Sequence, residues 1–144
     1  MEITIREITA SDYVEVVLLW NEVLGNHNVN YDNFCYTMDK MNRAGNYKTF
    51  VAVSETMVVG FIAVTQALAA GLSAGYLHIQ GLAILQEYQN NKIGQKLLQH
   101  VERYAKDNGI SSILLCSGVK RTAAHAFYER NGYDKDSYCF DKVI

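Results

Sequence analysis

The chain has 144 residues, 49% of them hydrophobic, and a formal net charge of −2. This length predicts one domain, residues 1–144, with a buried core. The small net charge argues against a nucleic-acid partner, and no apolar run is long enough to predict a membrane span. Residues 1–6 lack a signal-peptide pattern. Three widely spaced cysteines form no disulfide or zinc pattern. We therefore expect a cytoplasmic protein with reduced thiols and no metal.

Apolar periodicity and turn residues divide the chain into alternating helices and strands. Gly25, Gly45, Asn108 and Asn131 are the main stop signals, since the chain has no proline. Residues 69–75 are small and predict a loop. The predicted elements, in chain order, are a strand at 3–8, helices at 13–24 and 31–43, strands at 49–53, 58–64 and 76–85, a helix at 91–107, a strand at 110–116, a helix at 121–130 and a strand at 133–143.

The most informative stretch is residues 82–98, where an apolar strand passes through a polar turn into an amphipathic helix. A helix N-terminus carries about half a positive charge and free backbone N–H groups, which together attract anions. Further donors are supplied by Gln89, Asn90, Asn91, Lys92, Gln95 and Lys96. The stretch therefore predicts a pyrophosphate site, and the alternative is a plain strand-to-helix connection.

This turn resembles the Gln/Arg-x-x-Gly-x-Gly/Ala signature of the GNAT N-acetyltransferase superfamily, with Gln89 first and Gly94 last. Lys92 departs from the signature at its first glycine, and could either weaken the turn or add a phosphate contact. Residues 126–133, AFYERNGY, resemble a second motif of the superfamily, Leu/Phe-Tyr-Glu-Lys-x-Gly-Phe. Residues 119–128 are similar to aminoalkylphosphonate N-acetyltransferases and other small-amine enzymes.

The resemblance implies the acyl-CoA N-acyltransferase fold, an α/β (α+β) architecture. Its mixed central sheet has about six or seven strands, flanked by about four helices. The strands at 76–85 and 110–116 would splay apart and bind acetyl-CoA between them. The implied cofactor contacts are Leu82, Ala83, Ile84, Gln89, Asn90, Asn91, Lys92, Ile93, Gly94, Gln95, Lys96 and Tyr128. An amide near Leu82 would also stabilise the oxyanion that forms on the thioester.

Two side chains are the implied catalytic groups. Tyr128 would protonate the departing thiolate, and the alternative is a packed aromatic whose hydroxyl only forms a hydrogen bond. Carboxylates that many relatives use as the base are absent, and His78 and Gly81 stand at those positions. A histidine ordinarily titrates near pH 6.5, which suits a base. His78 would accept a proton directly or through water, or would only position the substrate. Strand alternation places it on one face with Gln80 and Leu82.

The acceptor site is implied between the loops at 26–31 and 69–74. There His27, Tyr31 and Asp32, together with His78, are the candidate substrate contacts, with Asp32 as the countercharge for a cationic amine. A merely solvated loop is the alternative.

The sequence thus predicts an enzyme that acetylates a primary amine by direct attack in a ternary complex, and the resemblance favours an amine of a small molecule. Phosphonate amines, polyamines, aminoglycosides, amino acids and protein amines all remain open as acceptors. The alternatives are a catalytically silent CoA-binding regulatory module and a protein or peptide acetyltransferase. Relatives suggest a possible homodimer.

Overall fold

A five-stranded sheet organises the first part of the chain. The computed structural model describes residues 1–144. They form two units, Met1–Leu114 and Leu115–Ile144. The elements of the first unit are β1 (Ile3–Glu7), α1 (Tyr13–Glu22), α2 (Tyr31–Ala44), β2 (Tyr47–Ser54), β3 (Met57–Ala69), β4 (Leu72–Ile84), α3 (Ile93–Asp107) and β5 (Ile113–Leu114). The second unit contains α4 (Thr122–Arg130).

The sheet is mixed, because β1 to β4 pair antiparallel and β4 pairs with β5 in parallel. The predicted α/β (α+β) class and four helices are confirmed. The strand count is five, below the predicted six or seven. The strand predicted at 133–143 is wrong, and the one predicted at 110–116 contains only two strand residues. Alternating side chains favour a strand only where a neighbouring strand pairs with it, and residues 133–144 have no such pairing.

The predicted loop at 69–75 is also wrong, because β3 and β4 continue to a two-residue turn at Ala70 and Gly71. β2 begins opposite Thr65, and β5 pairs only with Leu77 and His78. Residues 66–76 therefore form a two-stranded arm that extends past the rest of the sheet. A bulge lies near its end, where Gly75 has φ +70° and a Cβ would fall 1.9 Å from the Ala67 carbonyl oxygen. Only glycine fits at this close approach.

The two faces of the sheet carry different helices. Val16 and Leu19 of α1 pack in a buried cluster with Phe61, Ala63 and Ala83. The opposite face presents Phe50, whose ring lies 4.5 Å from that of His100 and 5.7 Å from that of Tyr104, both on α3. The core is therefore built from α1 on one side of the sheet and α3 on the other. The buried side chains of α3 are Ile93, Leu97, Leu98, Val101 and Ala105.

A bulge in β4 changes which side chains share a face. Ala63 of β3 pairs with Gly81, but the next residue, Val64, pairs with Ile79, so Gln80 is an extra residue in β4. A bulge of this kind interrupts the alternation of side chains. His78 therefore lies on the α1 face together with Gly81, whereas Leu82 lies on the α3 face. The prediction that His78 and Leu82 share a face is wrong.

An ion pair fixes the entry to α1. The carboxylate of Asp12, only 4% exposed, accepts bonds from both terminal nitrogens of Arg6, at 2.7 and 2.9 Å. It also accepts a bond of 2.8 Å from the Thr9 amide. The hydrogen bond from Arg6 lowers the pKa of Asp12. The end of β1 is thereby joined to the start of the helix that reaches β4.

Candidate functional site

β4 loses its neighbour halfway along its length. Its ladder with β5 consists of Leu77 opposite Ile113 and His78 opposite Leu114, with the Leu77 amide donating to the Ser112 carbonyl at 3.0 Å. Residues 79–84 continue to pair with β3 and have no β5 partner. Backbone groups on a strand edge need hydrogen-bond partners, and an extended ligand can supply them as an added strand would. The pairing of the two parallel strands thus ends where the predicted cofactor-contacting residues of β4 begin.

The turn after β4 has two residues in the left-handed region, Asn90 at φ 64° and Lys92 at φ 61°. Side-chain amides stabilise this turn: Gln89 donates to the Ile84 carbonyl at 3.1 Å, and Asn91 donates to the Tyr88 and Gln89 carbonyls at 3.2 and 3.1 Å. The amide nitrogens of Gln89 and Asn91, predicted as ligand donors, are therefore engaged within the turn itself. Lys92 adopts a conformation that suits glycine, so the turn forms despite the substitution.

The N-terminus of α3 follows directly and has the features of an anion site. The amide of Lys96 makes the first bond of the helix, to the Lys92 carbonyl at 3.0 Å. The amides of Ile93, Gly94 and Gln95 therefore lack an acceptor within the helix. The first turn has no acidic residue, and Lys92 provides no side-chain cap. Lys92 and Lys96 are exposed, so two positive charges accompany the helix dipole.

His78 is half-buried at the end of the β4–β5 ladder. Its neighbour across the sheet is Thr65, which in turn faces Tyr47 of β2. These three polar side chains form a row on the α1 face. Asn46 donates to the Thr65 hydroxyl at 3.4 Å. The row provides hydrogen-bonding groups beside the end of the β4–β5 pairing, and neither Tyr47 nor Thr65 was predicted as part of a site.

Trp20 is a third residue near the site that was not predicted from the sequence. Its indole lies against Gly81, where a Cβ would meet the indole Cη2 at 2.6 Å. Its ring centroid is 5.2 Å from that of Phe61. A glutamate at position 81, the alternative base in many relatives, would therefore collide with Trp20. In the sequence, Trp20 is distinguished only by its position in an apolar helix, and that pattern predicts a core residue.

The loop before α2 is held by asparagine side chains. Asn21 donates to the Asn26 and Val29 carbonyls, both at 2.8 Å, and Asn30 caps α2 by accepting from the Asn33 amide at 2.9 Å. The predicted substrate contacts of this region are all exposed, and no hydrogen bond or ion pair links them to His78. They are His27, Tyr31 and Asp32. Their role in binding stays a prediction.

Tyr128 lies on α4 in the second unit. Its ring packs edge-on against Phe127 and Tyr133, with centroids 5.3 and 6.0 Å away. Burial raises the pKa of Tyr128, and nearby Arg121 lowers it by less. The phenol is therefore protonated at neutral pH and can donate a hydrogen bond. His125 contacts the Gly118 carbonyl through Nε2 at 2.8 Å, which gives it a packing role.

No group of three or more His, Cys, Asp and Glu side chains is arranged to hold a metal ion. None of the helices has the length and apolar character needed to cross a membrane.

Comparisons with known proteins agree with this geometry. A family model described as "Acetyltransferase (GNAT) family" matches residues 11–133. The aminoalkylphosphonate N-acetyltransferase of Salmonella typhimurium is 28% identical over 142 residues, which cover 97% of this chain and 90% of that protein. A transcriptional regulator from Bacillus halodurans C-125 has the same fold, with a TM-score of 0.88, 24% identity and coverage of 99% and 100%. AAC(6')-Iy in complex with the bisubstrate analog CoA-S-monomethyl-acetylneamine has a TM-score of 0.84, 14% identity and coverage of 100% and 99%.

Proposed function

Because the chain belongs to the GNAT acetyltransferase family, we propose that it transfers the acetyl group of acetyl-CoA to a primary amine of a small molecule. One observation carries this proposal: β4 loses its β5 partner after His78, and its chain then turns into the uncapped N-terminus of α3. A small-molecule acceptor is supported by the names of two similar proteins, an aminoalkylphosphonate N-acetyltransferase and AAC(6')-Iy bound to a CoA–acetylneamine analog.

The residues present fit acetyl-CoA. Its pantetheine arm is a chain of amides, which matches the edge of β4 at residues 79–84. Its pyrophosphate is an anion, which matches the amides of Gly94 and Gln95 and the charges of Lys92 and Lys96. When bound, acetyl-CoA supplies a thioester whose carbonyl carbon is the electrophile.

The reaction is a direct transfer. His78 or a water takes a proton from the acceptor's ammonium group, and the free amine attacks the thioester carbonyl. A C–N bond forms and the C–S bond breaks, and the nitrogen then loses a second proton to solvent, which restores the proton that Tyr128 gives up. The Leu82 amide would hold the developing oxyanion. Tyr128, by resemblance to the family, returns a proton to the CoA thiolate. Because a tyrosine pKa near 10 exceeds a thiol pKa near 8.5, this transfer is uphill by about 2 kcal/mol, and the raised pKa of Tyr128 increases that cost.

The test combines binding with turnover. Calorimetric titration with acetyl-CoA and with CoA measures binding, and thiol release reports turnover on a panel that includes an aminoalkylphosphonate, a polyamine, an aminoglycoside, an amino acid and a peptide. We expect binding of both CoA forms and thiol release with at least one small amine. Release with the peptide alone would indicate a protein amine acetyltransferase. Binding with no release on any amine would favour a silent CoA-binding module, and absence of binding would overturn the proposal.

A matched pair of variants tests the pyrophosphate site. Lys96→Ala removes a charge from the first turn of α3, and Lys106→Ala removes one from its last turn. Only the first should weaken CoA binding, and its effect should shrink at high salt. Equal affinity in the two variants would place the phosphates elsewhere.

A further inference from the structure

Trp20 occupies an unusual place at the end of α1. Val16 and Leu19, on the same helix, are 0% and 1% exposed, whereas Trp20 is only partly buried. Its six-membered ring lies over Gly81: a Cβ there would fall 2.6 Å from Cη2 and 3.0 Å from Cζ2. Phe61 also packs against the indole, at 5.2 Å between centroids and 41° between planes, and its Cε2 would lie 3.3 Å from the same Cβ. The indole therefore fills the space that a side chain at position 81 would take.

This space is next to the proposed chemistry. On β3, Ala63 faces Gly81 and Thr65 faces His78, and both pairs lie on the α1 face. Two residues along a strand span about 7 Å, so the indole stands roughly that far along the strand from His78. Gly81 also directly precedes Leu82, the residue whose amide would hold the thioester oxygen. An amine that approached a thioester held at Leu82 from the α1 face would therefore pass beside the indole.

We propose that Trp20 sets the size limit of the acceptor site next to the reacting nitrogen. The inference rests on the proposed function and narrows its substrate class to primary amines of the form R–CH2–NH2. A methylene next to the nitrogen can lie flat on the indole, which buries apolar area at little entropic cost. Two methyl groups on that carbon would collide with the indole of Trp20, because Phe61 and Gly81 pack against the indole and prevent it from moving away.

The first experiment uses pairs of amines that differ only at the carbon bearing the nitrogen, CH2–NH2 against C(CH3)2–NH2. The ratio of their kcat/KM values is measured for the wild type, Trp20→Phe and Trp20→Leu, which keep an apolar side chain in the core. Pocket contacts of this kind are worth roughly 10- to 200-fold per methylene. We expect Trp20→Leu to lower the wild-type ratio at least about tenfold, with Trp20→Phe intermediate.

Phe34→Leu is the matched control. Phe34 packs against the same hydrophobic cluster and meets Tyr13 edge-on with ring centroids 5.2 Å apart, whereas the side chains nearest a Cβ at Gly81 are those of Trp20 and Phe61. It should lower stability and leave the amine ratio unchanged. An unchanged ratio in both Trp20 variants, with turnover retained, would overturn the inference and leave the proposed function standing. Absence of turnover on any amine would instead count against the proposed function.

A second measurement is independent of turnover. The chain contains one tryptophan, so its emission reports on Trp20 alone. In the presence of CoA, an R–CH2–NH2 amine should shift this emission and protect it from quenching by acrylamide. The dimethyl-substituted partner should have a smaller effect at the same concentration. Equal effects of the two amines, or no effect of either, would overturn the proposed role of Trp20.

Discussion

Replacing Lys92 separates the backbone conformation of the turn from its charge. Lys92 has φ 61° and ψ 17°, its side chain is exposed, and it makes no capping hydrogen bond. Its removal therefore sacrifices little packing. A left-handed conformation costs a residue with a Cβ about 1–2 kcal/mol. Lys92→Ala keeps that cost and removes the charge, whereas Lys92→Gly removes both.

The two variants should differ in stability. Glycine avoids the left-handed cost but loses about 0.5–1 kcal/mol through its greater freedom in the unfolded chain. The net expectation is that Lys92→Gly is about 0.5–1 kcal/mol more stable than Lys92→Ala. Urea unfolding at neutral pH measures this difference through the transition midpoint. Equal midpoints would refute the argument that the turn is strained at Lys92.

Their affinities for acetyl-CoA should be similar and lower than that of the wild type. An exposed ion pair is worth up to about 1 kcal/mol, which corresponds to roughly fivefold in Kd. Calorimetric titration at low and high salt measures this loss, which should shrink as salt screens the charge. If Lys92→Ala binds as tightly as the wild type, Lys92 makes no phosphate contact. Glycine adopts the left-handed conformation more readily than alanine does. If Lys92→Gly nevertheless binds acetyl-CoA much more weakly than Lys92→Ala, acetyl-CoA binding does not require that conformation.

Three further predictions concern the catalytic groups and the ion pair. Tyr128→Phe should lower turnover by about 10²-fold or more, the usual contribution of a general acid, while calorimetry shows that the variant still binds acetyl-CoA; undiminished turnover would exclude that role. His78→Ala should flatten the acid limb of the pH–rate profile, whereas an unaltered profile would leave water as the base. Asp12→Asn should cost about 1.5–3 kcal/mol of unfolding free energy at neutral pH, because it weakens a charged hydrogen bond in a buried place. Arg6 lowers the pKa of Asp12 from its ordinary 3.8, so this stability is present above that pH and is lost as the pH falls through the lowered value. Urea unfolding of both proteins across the acid range measures it, and parallel pH profiles would contradict the assignment.

Local patterns in the sequence were sufficient for the parts of the site that are local in the chain. The strand, turn and helix at residues 82–98 were predicted because turn residues and helical periodicity lie within that short stretch. The sequence left the conformation of Lys92 open, because the superfamily signature has a glycine at this position and lysine disfavours a φ of 61°. In the structure, the turn keeps the glycine-like conformation.

Features that depend on a distant partner were missed. The bulge at Gln80 is defined by pairing with Ala63 and Val64, so the alternation within β4 alone predicts the wrong face for His78. The contact of Trp20 with Gly81 joins an α1 side chain to a strand far along the sequence. Alternation at 133–143 predicted a strand that has no pairing partner. In each case the structure depends on pairing or contact with a residue far away in the sequence, which a local pattern does not reveal.

The length of the two-stranded arm at residues 66–76 can change in evolution without changing the pairing in the rest of the sheet. No third strand pairs with the arm, so its length is not fixed by the rest of the sheet. Adding one residue to each strand at the Ala70–Gly71 turn would preserve cross-strand pairing below the insertion. The bulge at Gln80 and the row from Tyr47 to His78 would keep their register. A descendant could thus acquire a longer or shorter arm while the remaining part of β4 keeps its pairing with β3.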